Sequence, residues 1–111
     1  MSEIRNLSVD FFKVLSDSTR LELLYLLKER EVTQAYIQKR LEKSQSTVSQ
    51  HLKNLIDANL VDVEINEKVN HYKIKDKKFF ELLDAVIEFV IKLNKEKLYG
   101  SDHDVKDTLL T

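Results

Sequence analysis

Gln45, Ser46, Ser49, Gln50 and Lys53 stand along one side of a stretch whose other side carries Val48, Leu52, Leu55 and Ile56. The apolar four recur at helical spacing and make one stripe to bury. Over its first two turns the polar side has no acid and no bulky apolar group. Its short side chains both donate and accept hydrogen bonds. With the positive end of a helix dipole behind it, such a face suits a polyanion. Gln pairs bidentately with adenine and Ser with several base edges, so the chemistry expected is non-covalent reading of a duplex, with Thr47 beside the readers. The plainer account, a solvated helix face, competes for each of these residues.

The element that must hold this face lies just upstream. Val32 to Leu41 reads as a shorter helix with Thr33 as its N-cap and Gln34 beside it, and three or four residues separate it from the next helix. Two helices joined by so short a turn make a helix-turn-helix, whose second helix lies in the major groove. Ser44 is the expected cap of that second helix. His51 borders the apolar stripe, which favours a packed, hydrogen-bonded imidazole over one that reads bases.

The rest of the chain frames the pair. Ile4, Leu7, Phe11, Phe12, Val14 and Leu15 form the apolar side of a first helix near residues 3 to 15. Asp17 caps a second helix near 18 to 30, with Leu21, Leu24, Tyr25, Leu27 and Lys28 spaced for half burial. After Leu60 the period changes to two. Val61, Val63 and Ile65 alternate with polar residues, and Tyr72 and Ile74 do the same, predicting two strands joined around Asn66 to Val69, each with one buried face. The hairpin's outward cations, Lys68, Lys73 and Lys75 with His71, are placed to touch phosphates or the minor groove, or simply to protect a strand edge. From Asp76 to about Lys97 the pattern is helical again. Its apolar groups cover more than half the circumference, which one core contact cannot hide. A homodimer seam of the first and last helices, using Leu7, Phe11, Phe12, Phe79, Leu83, Val86, Ile87 and Val90, is the economical answer.

These motifs, in this order, resemble a known family. Ser44 to Leu52 followed by Ala58-Asn59-Leu60-Val61 is similar to the recognition segment of ArsR/SmtB-type winged-helix repressors, and Leu15-Ser16-Asp17-Ser18-Thr19-Arg20-Leu21 is similar to the start of their second helix. The resemblance spans roughly residues 8 to 95, and it implies the same dimer. Ser18 replaces the family's usual proline, and Glu42 and Lys43 replace Gly and an apolar residue in the turn. Gln50 stands where many members have Arg, and Asn59 replaces the Gly after the recognition helix, a mild change because Asn tolerates a left-handed C-cap. The resemblance also implies metal sensing as a possibility to check. A thiolate site near Val32 to Tyr36 would need cysteine, and the chain has none. The family's other site, on the last helix, has only Asp84 and Glu88 one turn apart, with His103 in the tail as the nearest imidazole. That is a poor transition-metal donor set, and no metal ligand is assigned.

Composition fits this reading and narrows it. At 111 residues, 42% hydrophobic and 33% charged, the chain is expected to be one winged-helix domain over 1–99 with a polar tail over 100–111. Absent cysteine excludes disulfides and thiol chemistry. A single Gly excludes a Gly-rich phosphate loop, and no nucleophile has a base at a recognisable spacing, so neither catalytic residues nor a cofactor are assigned. No apolar run reaches membrane-spanning length and the N-terminus has no signal-like core, so a cytoplasmic protein with no membrane partner is expected. The net charge of −1 argues mildly against nucleic acid. Its distribution softens that: residues 33 to 60 carry four cations against Glu42 and Asp57, while residues 79 to 111 carry four lysines against seven acids. The expectation is therefore a mainly α fold with a small β-hairpin, a winged helix-turn-helix of order α-α-α-α-β-β-α. Its function would be that of a homodimeric regulator of transcription, most simply a repressor, binding double-stranded DNA, with no effector named by any residue. A protein-interaction module, or a carboxylate and His metal sensor between protomers, is the competing account.

Overall fold

The structure, a computed structural model, describes residues 2–100. Helices α1 (Ser2–Leu15) and α2 (Ser18–Leu26) precede strand β1 (Val32–Thr33) and the helix pair α3 (Gln34–Leu41) and α4 (Gln45–Asp57). Strands β2 (Val61–Asn66) and β3 (Val69–Ile74) follow, then α5 (Lys78–Leu93) and a short α6 (Lys95–Tyr99). The expected order is present, with two additions. β1 pairs antiparallel with β3, Val32 opposite Tyr72 and Thr33 opposite His71, so the sheet has the order β1-β3-β2. Val32 and Thr33 are β-branched and suit a strand, but two residues carry no period that a sequence pattern can register.

α2 ends at Leu26, short of the expected residue 30. Leu27 and Lys28 donate to the carbonyls of Leu24 and Tyr25, three residues back, so the last turn tightens and stops. Lys28, Glu29, Arg30 and Glu31 are all exposed, so no packing rewards a further turn. The half-burial expected of Tyr25 and Lys28 is corrected accordingly: both are exposed, and Leu23 with Leu24 and Leu27 fills the core.

Backbone contacts divide the chain between Lys77 and Lys78. In the first unit Leu23 and Leu24 of α2, Ile37 of α3, and Val48 and Leu55 of α4 are wholly buried. Val61, Tyr72 and Ile74 supply the sheet's share. Each such side chain contributes about 1.5–3 kcal/mol relative to exposure. α4 ends in a Schellman motif: Leu60 donates to the Leu55 carbonyl at 3.0 Å and Asn59 to that of Ile56 at 2.9 Å, with Asn59 left-handed at φ 63°.

The buried face expected along β2 stops at its first residue. Val61 is buried, but Val63 and Ile65 are 44% and 74% exposed, because no layer covers the outer half of the hairpin. That half projects as a free two-stranded ribbon. Its turn, Glu67-Lys68, has φ 52° and 68°, the doubly left-handed arrangement that matches strand twist and that Asn-Gly usually occupies.

In the second unit Phe79, Phe80 and Leu83 are buried, and the two rings meet edge to face at 5.4 Å. The expected single helix to Lys97 is interrupted at Asn94. Its backbone N–H and its Nδ2 both donate to the Val90 carbonyl, at 3.1 and 2.8 Å, which diverts the local hydrogen bonding.

Candidate nucleic-acid interface

Helix α4 starts because Ser44 caps it: Ser44 Oγ accepts from Thr47 N at 3.2 Å and donates to Thr47 Oγ1 at 2.9 Å. Thr47 is half-buried and its hydroxyl serves this cap, and Ser46 Oγ lies 3.3 Å from Ser44 Oγ beside it. Val48, Leu52 and Leu55 bury the inner stripe, which turns Gln45, Ser46, Ser49, Gln50 and Lys53 to solvent; all five are exposed. The structure therefore gathers these five on one face.

Gln34 joins them from the other helix. Its Nε2 donates to Ser49 Oγ at 2.6 Å and to the Gln45 carbonyl at 3.3 Å, fixing the start of α3 against the outer side of α4. Because Ser49 Oγ accepts this bond, its own O–H is left to donate. Thr33, beside Gln34, is half-buried and occupied as the N-cap of α3, accepting from Tyr36 N at 3.2 Å. Lys53 is tied to Asp57 Oδ2 at 3.0 Å, one turn on. Both groups are well exposed, so the pair contributes about 0.3–0.5 kcal/mol and yields readily to a phosphate. Gln50 Nε2 likewise leans on Asn54 Oδ1 at 3.3 Å.

The ribbon cations are not one group. Lys68 is at the left-handed tip and exposed. Lys73 faces Glu64 Oε2 at 3.7 Å across the strands. His71 is half-buried, flanked by Glu64 and Thr33 in the sheet register.

One residue that spacing did not single out as functional positions α4. Arg20 Nε donates to the Val14 carbonyl at 2.6 Å and Nη2 to that of Lys13 at 3.2 Å, satisfying the open end of α1. Its Nη1 lies 3.3 Å from His51 Nδ1. A guanidinium only donates, so a hydrogen bond between the two has His51 Nδ1 as its acceptor. His51 is thus a packed link from α4 to the corner of α1 and α2. Asp17, the cap of α2, accepts from Arg20 N at 3.0 Å. That bond, with desolvation opposing it, holds the Asp17 carboxyl below its ordinary 3.8. The signal available in the sequence was the Asp17-x-x-Arg20 spacing of a capped first turn, which says nothing of a partner 31 residues away.

The residues expected at a dimer seam divide. Leu7, Phe12, Val86, Ile87 and Val90 are exposed and Phe11 is half-buried. Phe79 and Leu83 are buried, at 8% and 5% exposure. Among the described residues no three His, Asp or Glu side chains come together in a way that would hold a metal. His103, the third group of the metal-sensor account, lies outside them. With no cysteine in the chain, the thiolate form of the metal site that the family resemblance raised cannot be built. Also among the described residues, no helix is long and apolar enough to cross a membrane.

Comparison with known proteins agrees with this geometry. Residues 17–63 match the family described as bacterial regulatory protein, arsR family. The arsenical resistance operon repressor of Staphylococcus aureus is 35% identical over 80 residues, covering 72% of this chain and 69% of that protein. The corresponding repressor of Bacillus subtilis is 38% identical over 78 residues, 65% of this chain and 70% of that one. Among solved structures, M. tuberculosis Rv0081 aligns with a TM-score of 0.78 at 24% identity, over 85% of this chain and 95% of that chain. The homodimeric winged helix-turn-helix DNA-binding domain Mb0332 of Mycobacterium bovis aligns at 0.74 and 22% identity, over 85% and 88%. The last two likenesses carry the fold, and the repressors carry the kinship. This chain belongs to the arsR family of bacterial regulatory proteins, and is a DNA-binding winged helix-turn-helix regulator of transcription, not an enzyme.

Proposed function

We propose that the chain is a cytoplasmic homodimeric repressor that binds a pseudo-palindromic operator, one α4 per major groove, with half-sites about one helical turn apart. The observation that carries this is the Gln34 bond to Ser49 at 2.6 Å. It holds one side chain of an acid-free, exposed face in a fixed orientation before any partner arrives, which lowers the ordering cost of binding. In this reading Gln45, Ser49 and Gln50 meet base edges. Ser46, Lys53, Lys68, His71 and Lys73 meet phosphate or sugar, and Thr33, Gln34 and Thr47 hold the readers in place.

Dimerisation is supported by uncovered apolar surface on each unit taken by itself. On α1, Ile4, Leu7 and Phe12 are 61%, 59% and 65% exposed, and on α5 Phe89 and Leu93 are 59% and 68% exposed. Apolar stripes of this kind on a small chain mark an interface. The name of the Mycobacterium bovis neighbour describes a homodimer, and the names of the Staphylococcus and Bacillus relatives describe repressors. Any effector acts without a thiolate ligand, since the chain has no cysteine.

A mobility-shift titration on the intergenic DNA upstream of the protein's own reading frame, run across a salt series, tests the reading. Retardation that weakens steeply with salt, and is lost when Gln45, Ser49 and Lys53 are each changed to Glu, is the expected result. Function that survives those three changes would instead favour a protein-interaction module, the account that the net charge of −1 keeps open.

A further inference from the structure

Two arginines converge on one phenol at a place the reading face does not use. The Arg30 guanidinium carbon lies 5.0 Å from the Tyr36 ring centroid and that of Arg40 lies 5.7 Å from it. Arg40 Nη1 donates to Tyr36 Oη at 3.0 Å. Tyr36 and Arg40 are four residues apart on α3 and so share a face. At about 100° per residue that face is roughly 200–240° around the helix from Gln34, the residue that meets α4. Arg30 and Arg40 are exposed and Tyr36 half-buried, so the group is open to a ligand.

Like charges are gathered here. Among the described residues neither arginine forms an ion pair with a carboxylate; Glu29 and Glu31, which flank Arg30, and Glu42, two residues from Arg40, pair with neither. Each guanidinium has five N–H donors, and the phenol oxygen can engage only a small part of them. Because Tyr36 Oη accepts from the arginine side, its own O–H is left to donate outward. A planar fork on each side and a hydroxyl between them match the tetrahedral oxyanion of a phosphate, which arginine recognises bidentately.

We propose that Arg30, Tyr36 and Arg40 form a binding site for one phosphate group, separate from the base-reading face of α4. The phosphate belongs either to a backbone position of the duplex flanking the half-site, which rests on the function proposed above, or to a small free phosphate compound, which does not. The electrostatics of the phenol accord with this. A hydrogen bond from the Arg30 side chain, against desolvation and with the charges of Arg40 and Arg30, already holds Tyr36 below its ordinary 10.0. A bound dianion would push it back up.

The test uses the full chain and inorganic phosphate at constant ionic strength, read by the Nε–H resonances of the two arginines. Saturable shifts are expected, weakened at least tenfold in an Arg30→Gln, Arg40→Gln double variant. An Arg30→Lys, Arg40→Lys variant, which keeps charge and removes both forks, is expected to weaken binding severalfold. A Lys92→Gln control should leave it unchanged. The second arm measures operator affinity against salt. If the phosphate is the duplex's, the Gln double variant lowers the slope of log K against log salt by about two, with base preference unchanged. If it is a free compound, the phosphate titration responds and the operator slope does not. No saturable shift in the first arm together with no change of slope in the second overturns the site. A wild-type chain that binds no operator at all would sink the DNA reading and leave the phosphate titration to decide this one.

Discussion

The turn between α3 and α4 holds a glutamate in a conformation built for glycine, and that makes a quantitative forecast possible. Glu42 caps α3 with φ 54° and ψ 44°, and both its own N–H and that of Lys43 donate to the Gln38 carbonyl. An L-residue in this left-handed region is disfavoured by about 1–2 kcal/mol, because Cβ crowds the following carbonyl oxygen. Glycine removes that cost and returns about 0.4–1 kcal/mol through the greater freedom of its unfolded chain. The Glu42 side chain is exposed, so its loss forfeits little packing. Glu42→Gly should therefore stabilise the chain by about 0.5–1 kcal/mol. For a domain of this size that is a rise in Tm of about 3–6 °C. Circular dichroism at 222 nm through thermal unfolding reads it directly. Glu42→Ala is the control: it removes the carboxylate but keeps Cβ, and should move Tm by less than about 1–2 °C. Operator affinity should stay within about twofold in both, since the turn keeps its path. A lower Tm in Glu42→Gly, or an equal rise in Glu42→Ala, would refute the steric account.

The remaining predictions concern the tip, the link and the cap. Glu67→Asn with Lys68→Gly, placing the usual residues at φ 52° and 68°, should raise Tm by several degrees and, by losing Lys68, weaken operator binding slightly. Ser49→Ala should cost operator affinity about 1–3 kcal/mol in mobility shifts, whereas Gln34→Ala should cost less, and the double variant should fall short of the sum, since both act through one hydroxyl. Additive losses would mean that Gln34 does not orient Ser49. Asp17→Ala should destabilise by about 1 kcal/mol in urea unfolding. Because the folded Asp17 carboxyl titrates below its unfolded value, its charge stabilises the fold fully above about pH 4–5 and loses that effect as pH falls through the folded pKa. The stability gap between the natural chain and Asp17→Asn should thus be flat from pH 5 to 7 and shrink below 3.8. A gap that widens on acidification would reverse the sign of this account.

How much of this was legible in the chain depended on the range of the interaction. The buried stripe of α4 and its Ser44 cap are set by residues within one or two turns, and spacing conveys them; the left-handed Asn59 is what the family resemblance implies. The caps Asp17 and Thr33 are of the same kind. What escaped was set from a distance. β1 exists because Tyr72 and His71 lie alongside Val32 and Thr33, and α2 stops early because nothing covers residues 28 to 31. Alternation along β2 promised a buried face, yet Ile65 faces solvent because the ribbon outruns the core. The same limit applies to the site. The face of Gln45, Ser49 and Lys53 follows from helical period, as does Arg40 one turn from Tyr36, whereas the Gln34 bond to Ser49, the Arg20 bond to His51 and the approach of Arg30 to Tyr36 depend on chain segments that only folding brings together. Phe79 and Leu83 were apolar enough for either core or seam, and hydrophobicity does not distinguish the two.

A footprint on the intergenic DNA, compared between the natural chain and the Gln45→Glu, Ser49→Glu, Lys53→Glu variant, bears most directly on what α4 is for. Two protected patches about one helical turn apart, both erased in the variant while its circular dichroism is unchanged, are the predicted result. Protection that persists with three carboxylates on the reading face would mean that some other surface meets the duplex.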